Sequence, residues 1–361
     1  MIPAGSPNAR RPRLALLGCG RIGQEVYLPL LGRRQDVLLT VVADEASDAR
    51  ARASRAAPKG TATVSDWRDA LIRDDVDAAI IALPPALHSE AACAALTRGL
   101  HVYVEKPLAT SDAGARAILG AQGSTTSFAM IGFNYRFNPL YSELRARIHH
   151  GEVGRVRIVR TIFSAPAGQA TGWRESRKAG GGVLLELGSH HVDLVRWLTR
   201  VEVRGVQCHV AEPQRGSECV TLQLALERDI AAQIVVAMGT VAEDRVEVFG
   251  EGGAISVDRY RSVAPIARGP AVPGRLQSLA HSVRAVRRLP YLFSKRASPW
   301  HEPSHEAALD RFVDGINGRR GDAPTLADGW ASLRIILAAE ASAATGRAVA
   351  MDDQAHAADP F

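Results

Sequence analysis

The sequence is poor in cysteine, and its cysteines form no recognisable pattern. Only four occur in 361 residues: Cys19, Cys93, Cys208 and Cys219. They make no CxxC pair and no Cys/His spacing typical of zinc sites, and four thiols are too few for a disulfide scaffold. We therefore expect no metal site, and a reducing, cytoplasmic compartment fits these thiols best.

Long hydrophobic runs are also absent. No stretch reaches the ~18 apolar residues that a membrane-spanning helix requires, and residues 1–12 lack the apolar core of a signal peptide. We interpret residues 1–12 as a flexible tail and expect no membrane association. The net charge of +6 is mild for this length, and without a nucleic-acid-binding motif or an aromatic platform we expect no nucleic-acid partner.

The order of the apolar runs predicts two domains, which is also the number that 361 residues favour. Runs such as RLALLG, LLTVVAD and HVYVEKP alternate with helical stretches, which predicts a doubly wound parallel sheet, an α/β domain, over residues 13–134. After Tyr135 strand-like runs follow one another with few helices. This second pattern predicts an α+β domain with a large, mainly antiparallel open sheet over residues 135–361.

Three glycines mark a candidate phosphate-binding turn. In LALLGCGRIG, Gly18, Gly20 and Gly23 follow an apolar strand and precede a helix. Gly18 would permit the tight turn, Gly20 a close approach of backbone to a pyrophosphate, and Gly23 close packing of the helix. The helix N-terminus would supply N–H groups to the anion. The pattern is common by itself, but this strand–helix context predicts a dinucleotide site.

Asp44 supports the prediction of a dinucleotide site. It ends the next strand, about twenty residues after Gly23, where an acid can accept hydrogen bonds from a ribose diol. A carboxylate there would repel the 2′-phosphate of NADP, so we predict NAD as the cofactor. Asp44 could also cap the following helix, and three arginines near it in sequence keep NADP open as an alternative: Arg33, Arg50 and Arg52.

A lysine lies where a predicted buried strand ends. In VYVEKPLAT, Lys106 follows the apolar run and precedes Pro107. Ligands bind at the carboxyl edge of open parallel sheets, so Lys106 is a candidate for chemistry at that edge. The alternative is a solvated charge at a strand end.

A second group of polar residues lies on the predicted helix after three glycines, in GGGVLLELGSHHVDLVRWL. Glu186, His190, Asp193 and Trp197 share one face at helical spacing, while His191 falls in an apolar stripe. A histidine between two acids suits general acid or base catalysis near neutral pH. The alternative is a surface salt-bridge cluster on an amphipathic helix.

Taken together, these motifs resemble the Gfo/Idh/MocA family of oxidoreductases, named for glucose–fructose oxidoreductase and inositol dehydrogenase. GCGRIG, ALPPALHSEAACAALTRGLHVYVEKPLA, GFNYRFNP and the histidine helix match it in order across almost the whole chain. The resemblance implies a Rossmann domain and an α/β domain whose open sheet mediates a homodimer or homotetramer. It also implies hydride transfer between a nicotinamide and a hydroxyl or keto carbon of a sugar, nucleotide sugar or cyclitol.

The resemblance also implies residue roles. Lys106 matches a lysine beside the nicotinamide and substrate, Glu105 a supporting carboxylate, and His190 the catalytic histidine, and Pro107 is expected to fix the turn through a cis Lys–Pro bond. Further cofactor contacts are expected from Arg21, Ile22, Pro84 and His88. Substrate contacts are expected from Asn134, Tyr135, Arg136, Trp173 and Arg174, although the NYRF stretch could equally pack a domain junction.

One residue departs from the family pattern. The family usually has aspartate four residues before its catalytic histidine, whereas this chain has Glu186. Glu186 could still hold a substrate hydroxyl, or it could mark a non-catalytic dinucleotide-binding regulator with the same fold. Residues 261–296 are a second unusual feature, because they hold eight cations and no acid; a solvated surface excursion and a basic arm for an anionic substrate both fit this composition.

Overall fold

We analysed a computed structural model of the chain. It describes residues 10–166, 177, 181–214, 217–269, 303–319 and 321–351, with the backbone alone for 212–214 and 217. The chain divides into two compact units, Met1–Gly132 with His305–Trp330, and Phe133–Ser304 with Ala331–Phe361. Residues 305–330 thus belong to the first unit, whereas the sequence pattern assigned them to the second domain.

The first unit contains a six-stranded parallel sheet in the order β3-β2-β1-β4-β5-β6. This is the strand order of a dinucleotide-binding sheet. Its strands are β1 (Arg13–Leu17), β2 (Leu38–Ala43), β3 (Ala62–Val64), β4 (Ala78–Ile81), β5 (His101–Val104) and β6 (Ala129–Ile131). Its connecting helices are α1 (Leu28–Arg33), α2 (Ser47–Ala56), α3 (Trp67–Leu71), α4 (His88–Thr97) and α5 (Asp112–Gly123).

The central strands of this sheet are apolar because both of their faces are covered. All four residues of β4 are fully buried, as a parallel sheet between two helix layers requires. Short polar side chains start the helices: Asp66 accepts a hydrogen bond from the backbone N–H of Arg68, and Ser111 accepts one from Gly114. Because β1, β4 and β5 are adjacent and parallel, their carboxyl ends meet at one edge of the sheet.

Aromatic packing explains why residues 305–330 return to the first unit. The helix α8 (Ser304–Ile316) carries Phe312, whose ring lies 5.6 Å from Tyr103 and 6.1 Å from Phe128 between centroids. Phe312 is fully buried. Fully burying such a side chain contributes roughly 1.5–3 kcal/mol, so this contact holds a distant part of the chain on the first sheet.

The second unit contains an eight-stranded sheet in the order β13-β12-β11-β7-β10-β9-β8-β14, in which only the β7–β10 pair is parallel. The predicted fold class, a parallel sheet followed by a mainly antiparallel one, is therefore confirmed. The strands are β7 (Val156–Ala165), β8 (Val203–Gln214), β9 (Ser217–Leu226), β10 (Ile230–Met238), β11 (Glu243–Gly250), β12 (Gly253–Asp258), β13 (Ile266–Arg268) and β14 (Val349–Ala350).

Helices cover one face of this second sheet. They are α6 (Pro139–His149), α7 (Ser189–Thr199) and α9 (Leu326–Thr345), whose first residues belong to the first unit. Strand residues that face them are fully buried, among them Val159, Ile234 and Val246. None of the helices in the described part of the chain has the length and hydropathy to span a membrane.

The packing of α8 generates a stability prediction. A Cβ on Gly315 would lie 2.2 Å from the Phe128 ring, so Gly315→Ala should lower the free energy of unfolding by ~1–3 kcal/mol. The matched control is Gly120→Ala in α5, where a Cβ meets nothing within 4 Å and should add up to ~1 kcal/mol. Urea unfolding of both variants measures the difference, and equal effects would contradict this packing.

Candidate active site

The glycine turn has the geometry that a bound pyrophosphate needs. Gly18 has φ +97°, and a Cβ there would lie 2.3 Å from the backbone O of Ala82. A Cβ on Gly23 would lie 2.4 Å from the backbone O of Gly18, whereas one on Gly20 meets nothing within 4 Å. Gly18 and Gly23 are thus required by close backbone contacts, and Gly20 is exposed, with space above its backbone.

Asp44 joins this turn to the second strand of the sheet. Its Oδ2 accepts a hydrogen bond of 2.7 Å from the backbone N–H of Cys19, and its Oδ1 accepts one of 2.9 Å from Ala46. A carboxylate has about four acceptor sites, so capacity remains for a ribose diol. Asp44 therefore serves the local turn and can still bind a nucleotide, which makes both interpretations of this residue compatible.

Side chains around Asp44 complete this polar region. Arg50 donates from Nη1 to the backbone oxygens of Asp44 and Glu45, at 2.7 and 2.8 Å. Gln24 donates from Nε2 to the backbone O of Cys19 at 2.6 Å, and its Oε1 accepts from Arg52 at 3.0 Å. The open space at Gly20 and the carboxylate of Asp44 fit NAD, with phosphates at the glycine turn and a ribose at Asp44.

Lys106 follows β5 and so lies at the same edge as the glycine turn, in a cis Lys106–Pro107 sequence. Glu105 before it is buried, and its carboxylate accepts a hydrogen bond from Tyr27 Oη. Its other oxygen accepts the backbone N–H of Lys106 at 3.2 Å. Burial raises the pKa of Glu105. Glu105 is thus held inside the unit and fixes the backbone from which Lys106 projects.

Pro84 lies on the turn between β4 and α4, and His88 is the first residue of α4. His88 is 1% exposed, and both of its ring nitrogens face backbone oxygens, those of Pro107 at 2.7 Å and Leu83 at 2.8 Å. Its side chain therefore joins two turns of the protein itself. Pro84 is half-buried, Ile22 is half-buried and Arg21 is exposed beside Glu25 at 3.1 Å. Contacts of these four residues with the cofactor stay predictions.

In the second unit, His190 lies in the first turn of α7, directly after a π-helical turn at Leu184–Gly188. Wide turns of this kind occur frequently at functional sites. His190 is 8% exposed and Glu186, inside the π turn, is half-buried. The cluster is therefore not an exposed salt-bridge face, which removes the alternative interpretation of this helix.

Tyr135 fixes the ring plane of His190. The two rings stack with centroids 4.2 Å apart and planes at 12°. The Arg259 guanidinium lies 4.7 Å from the Tyr135 ring centroid, and its Nε donates to Asp244 Oδ2 at 2.6 Å. Tyr141 donates to the other oxygen of Asp244 at 2.6 Å. A buried charged network thus supports the tyrosine on which His190 lies.

The other site residues that the sequence predicts in this unit form hydrogen bonds to side chains of the same unit. Arg136 donates from Nε and Nη2 to both oxygens of Asp193, at 2.9 and 2.6 Å, and this ion pair is buried. Asn134 donates to Ser304 Oγ at 2.8 Å. Both carboxylate oxygens of Asp193 therefore bond Arg136, a partner that the helical spacing did not predict. Breaking a buried pair of this kind typically costs 3–5 kcal/mol, so Arg136 has a structural role whatever else it contacts.

Two predicted substrate contacts, Trp173 and Arg174, lie outside the described residues, as does most of the basic segment 261–296. Of that segment the structure describes residues 261–269, where Arg261 bonds Asp258 at 2.9 Å. Among the side chains that the structure describes, no group of His, Cys, Asp and Glu could hold a metal ion.

Both units match family models. Residues 13–133 match the oxidoreductase family with an NAD-binding Rossmann fold, and residues 141–256 match the GFO/IDH/MocA C-terminal domain. The chain belongs to the Gfo/Idh/MocA family of oxidoreductases. The predicted family, an enzymatic oxidoreductase activity and NAD as its cofactor are thereby confirmed, while the roles of single residues stay predictions.

Several relatives are similar over most of the chain. An inositol 2-dehydrogenase from Rhodococcus erythropolis is 27% identical over 356 residues, which cover 94% of this chain and 95% of the relative. A dTDP-3,4-didehydro-2,6-dideoxy-alpha-D-glucose 3-reductase from Streptomyces antibioticus is 27% identical over 251 residues, covering 69% and 76%. The solved WlbA dehydrogenase from Bordetella pertussis, in complex with NADH and UDP-GlcNAcA, has a TM-score of 0.81 at 21% identity, covering 95% and 98%. This last likeness shows the shared fold.

Sequence reasoning missed the residues that support Glu105 and His190. The sequence held one signal for Asp244. This residue alternates with Val246 and Val248 and so occupies an inward position of β11. An acid on the buried side of a strand demands a partner. The missed residues are Tyr27, Tyr141, Asp244 and Arg259.

The geometry at Asp44 generates a binding prediction. Asp44→Ala removes the ribose acceptor and the repulsion against a 2′-phosphate, so the Kd for NADH should rise about tenfold or more. The Kd for NADPH should rise much less. The matched control is Asp48→Ala, an exposed acid paired with Arg52, which should leave both constants within about twofold. Fluorescence titration measures the four constants, and equal weakening of both cofactors by Asp44→Ala would refute the assignment.

Proposed function

We propose that this chain is an NAD-dependent dehydrogenase or reductase that acts on a hydroxyl or keto carbon of a sugar, nucleotide sugar or cyclitol. The observation that carries the proposal is the buried His190, stacked on Tyr135, in a chain that also has an NAD-binding turn. The relatives support the substrate class, because their names include an inositol, a dTDP-sugar and a complex with a UDP-sugar.

Oxidation of an alcohol removes a hydride from carbon and a proton from oxygen. NAD, when bound, supplies the hydride acceptor. His190 is the group we assign to the proton, because an imidazole can both accept and donate a proton close to neutral pH. The stack with Tyr135 fixes the plane in which the imidazole nitrogens lie, which helps to hold a proton acceptor within hydrogen-bond reach of the hydroxyl.

Lys106 and Glu186 are the other side chains that we assign to the reaction. The Lys106 ammonium would donate a hydrogen bond to the reacting oxygen and so stabilise the negative charge that develops there. Glu186 would accept a hydrogen bond from a neighbouring substrate hydroxyl. Asn134, Tyr135 and Arg136 are proposed to border the substrate, besides the structural bonds that they make.

The alternative function that the sequence left open is a non-catalytic dinucleotide-binding regulator, which the match to the oxidoreductase family disfavours. The residue that favours it is Glu186, which stands where the family usually has aspartate. An extra methylene moves the carboxylate by roughly a bond length, and displacements of about 1 Å can cost ~100-fold in rate. Glu186→Asp separates the two functions, because it should raise turnover only if misplacement of this carboxylate limits catalysis.

The proposed chemistry predicts the effect of removing His190. His190→Ala should lower kcat by ~100-fold or more, because general acid–base catalysis contributes that much, while the Kd for NADH stays within about threefold. The assay follows absorbance of reduced nicotinamide with a panel of free sugars, cyclitols and UDP-, GDP- and dTDP-sugars. His209→Ala, an exposed histidine of β8, is the matched control and should change neither constant.

The outcomes of this assay test two proposals, the proton-transfer role of His190 and the enzymatic activity of the chain. Turnover that survives in His190→Ala would refute the proton-transfer role and make Lys106 the leading candidate. NADH binding without turnover on any compound, before and after Glu186→Asp, would refute the enzyme proposal in favour of the regulator.

We also propose that the second unit's sheet pairs with another copy of this chain. On the face opposite the helices, neighbouring side chains form rows across β10, β7 and β11. Ala231, Ile158 and Phe249 form an apolar row, and the next row contains Arg160 bonded to Glu247. Ile158 is 47% exposed. An apolar row beside charges of both signs is self-complementary, which favours a second copy as the partner.

This proposal predicts that a charged side chain in the apolar row lowers the mass of the oligomer. Ile158→Arg should convert a dimer or tetramer to a smaller species, because it places an unpaired cation in the apolar row. The matched control is Val241→Arg, which alters a 69% exposed residue between β10 and β11. Light scattering after size exclusion measures the mass; a wild-type monomer, or the same mass in both variants, would refute the interface.

A further inference from the structure

The side chain of His88 bridges two backbone carbonyls in the first unit. Its Nδ1 lies 2.7 Å from the O of Pro107, and its Nε2 lies 2.8 Å from the O of Leu83. A carbonyl oxygen only accepts, so each contact needs a proton on the ring nitrogen. A neutral imidazole has one N–H and the imidazolium has two. The two contacts therefore form together only in the protonated ring.

The two carbonyls belong to the turns that flank the nucleotide edge. Leu83 follows β4 and lies against the glycine turn, since a Cβ on Gly18 would be 2.8 Å from the backbone N of Leu83. Pro107 directly follows Lys106. His88 thus completes a continuous chain of contacts from Gly18 to Lys106, two residues that lie at the ends of β1 and β5.

We propose that His88 is a positioning residue that ties the Lys106–Pro107 turn to the glycine turn, and that the tie is complete only when its ring is protonated. This proposal rests on the proposed role of Lys106 in the reaction. It assigns His88 no contact with the reacting atoms. It adds a pH dependence to the placement of Lys106 that differs from the ionisation of His190.

The electrostatic surroundings set the direction of that dependence. Burial lowers the pKa of His88 below its ordinary value; the two carbonyls raise it, and the Lys106 ammonium lowers it further. The turn before α4 has no titratable side chain, α3 bears Arg68 paired with Glu90, and α5 bears Asp112 paired with Arg116. The net direction is downward. The tie is therefore complete below this lowered pKa and loses one hydrogen bond as the pH rises through it.

The first experiment reads the ring itself in the wild-type protein. Nitrogen NMR of histidine-labelled protein, with His88 assigned by its missing signal in His88→Asn, distinguishes a ring with two N–H groups from each neutral tautomer. Both nitrogens should be protonated at the acid end of a titration carried down to the lowest pH at which the protein stays folded, with one proton lost below the midpoint of an unstructured histidine. A single neutral tautomer at every pH would overturn the proposal.

The second experiment uses two variants that each keep one of the bonds. The amide nitrogen of asparagine stands near the position of Nδ1, and that of glutamine near Nε2. His88→Asn should keep the bond to Pro107 and lose the bond to Leu83, whereas His88→Gln should do the reverse, so both variants break the tie and should lower kcat by ~10-fold or more. The Kd for NADH should stay within about threefold in both variants, and their kcat should no longer change with pH through the ionisation of His88. A kcat within about threefold of wild type in either variant would overturn the positioning role.

The controls separate failure of this proposal from failure of the proposed function. His101→Asn changes a histidine at the opposite end of β5, whose Nδ1 accepts from Phe128 N at 2.8 Å, and should leave kcat and its pH profile unchanged. Lys106→Ala tests the lysine alone. If turnover survives that change, the role of Lys106 fails, while the protonation state of His88 is still decided by NMR, which needs no substrate.

Discussion

The close approach of main chain at the glycine turn is the constraint on which the nucleotide edge depends. The backbone of Gly18 lies so near Ala82 that a Cβ would come within 2.3 Å of its carbonyl oxygen, and Gly23 lies equally close to Gly18. Because no side chain fits there, β1, its turn and the helix start pack at backbone distance. Asp44 can then reach the N–H of Cys19, and Leu83 can present its carbonyl to His88.

The second unit has a different constraint, which is the burial of the charged side chains that support the Tyr135 and His190 rings. Asp244 is fully buried, and an unpaired carboxylate there would be strongly unfavourable. Arg259 donates a hydrogen bond to one oxygen of Asp244, and Tyr141 donates one to the other. The Arg259 guanidinium also lies over the Tyr135 ring. Such networks contribute little net stability, but they leave few alternative arrangements. The plane of Tyr135, and with it the plane of His190, is therefore fixed from within the core.

The sequence predicted those features that depend on local pattern. Alternating apolar runs were enough for both sheets, and the glycine spacing with Asp44 was enough for the nucleotide edge. The sequence pattern could not predict contacts between distant segments. The helix α8 packs in the first unit because Phe312 contacts Tyr103, which lies about two hundred residues away in the chain. The partners of Arg136 and Asp193 were missed for the same reason, since helical spacing describes only neighbours on one helix.

The π turn before α7 shows how local pattern can mislead within a single element. The spacing of four between Glu186 and His190 places both on one face only if the backbone is a regular α-helix. Here Leu184–Gly188 form a wider turn, in which i→i+5 bonds replace i→i+4 bonds. The direction of the Glu186 carboxylate is therefore set by two changes together, the longer side chain and the wider turn. A comparison of glutamate with aspartate at this position has to be made on this backbone, and not on an ideal helix.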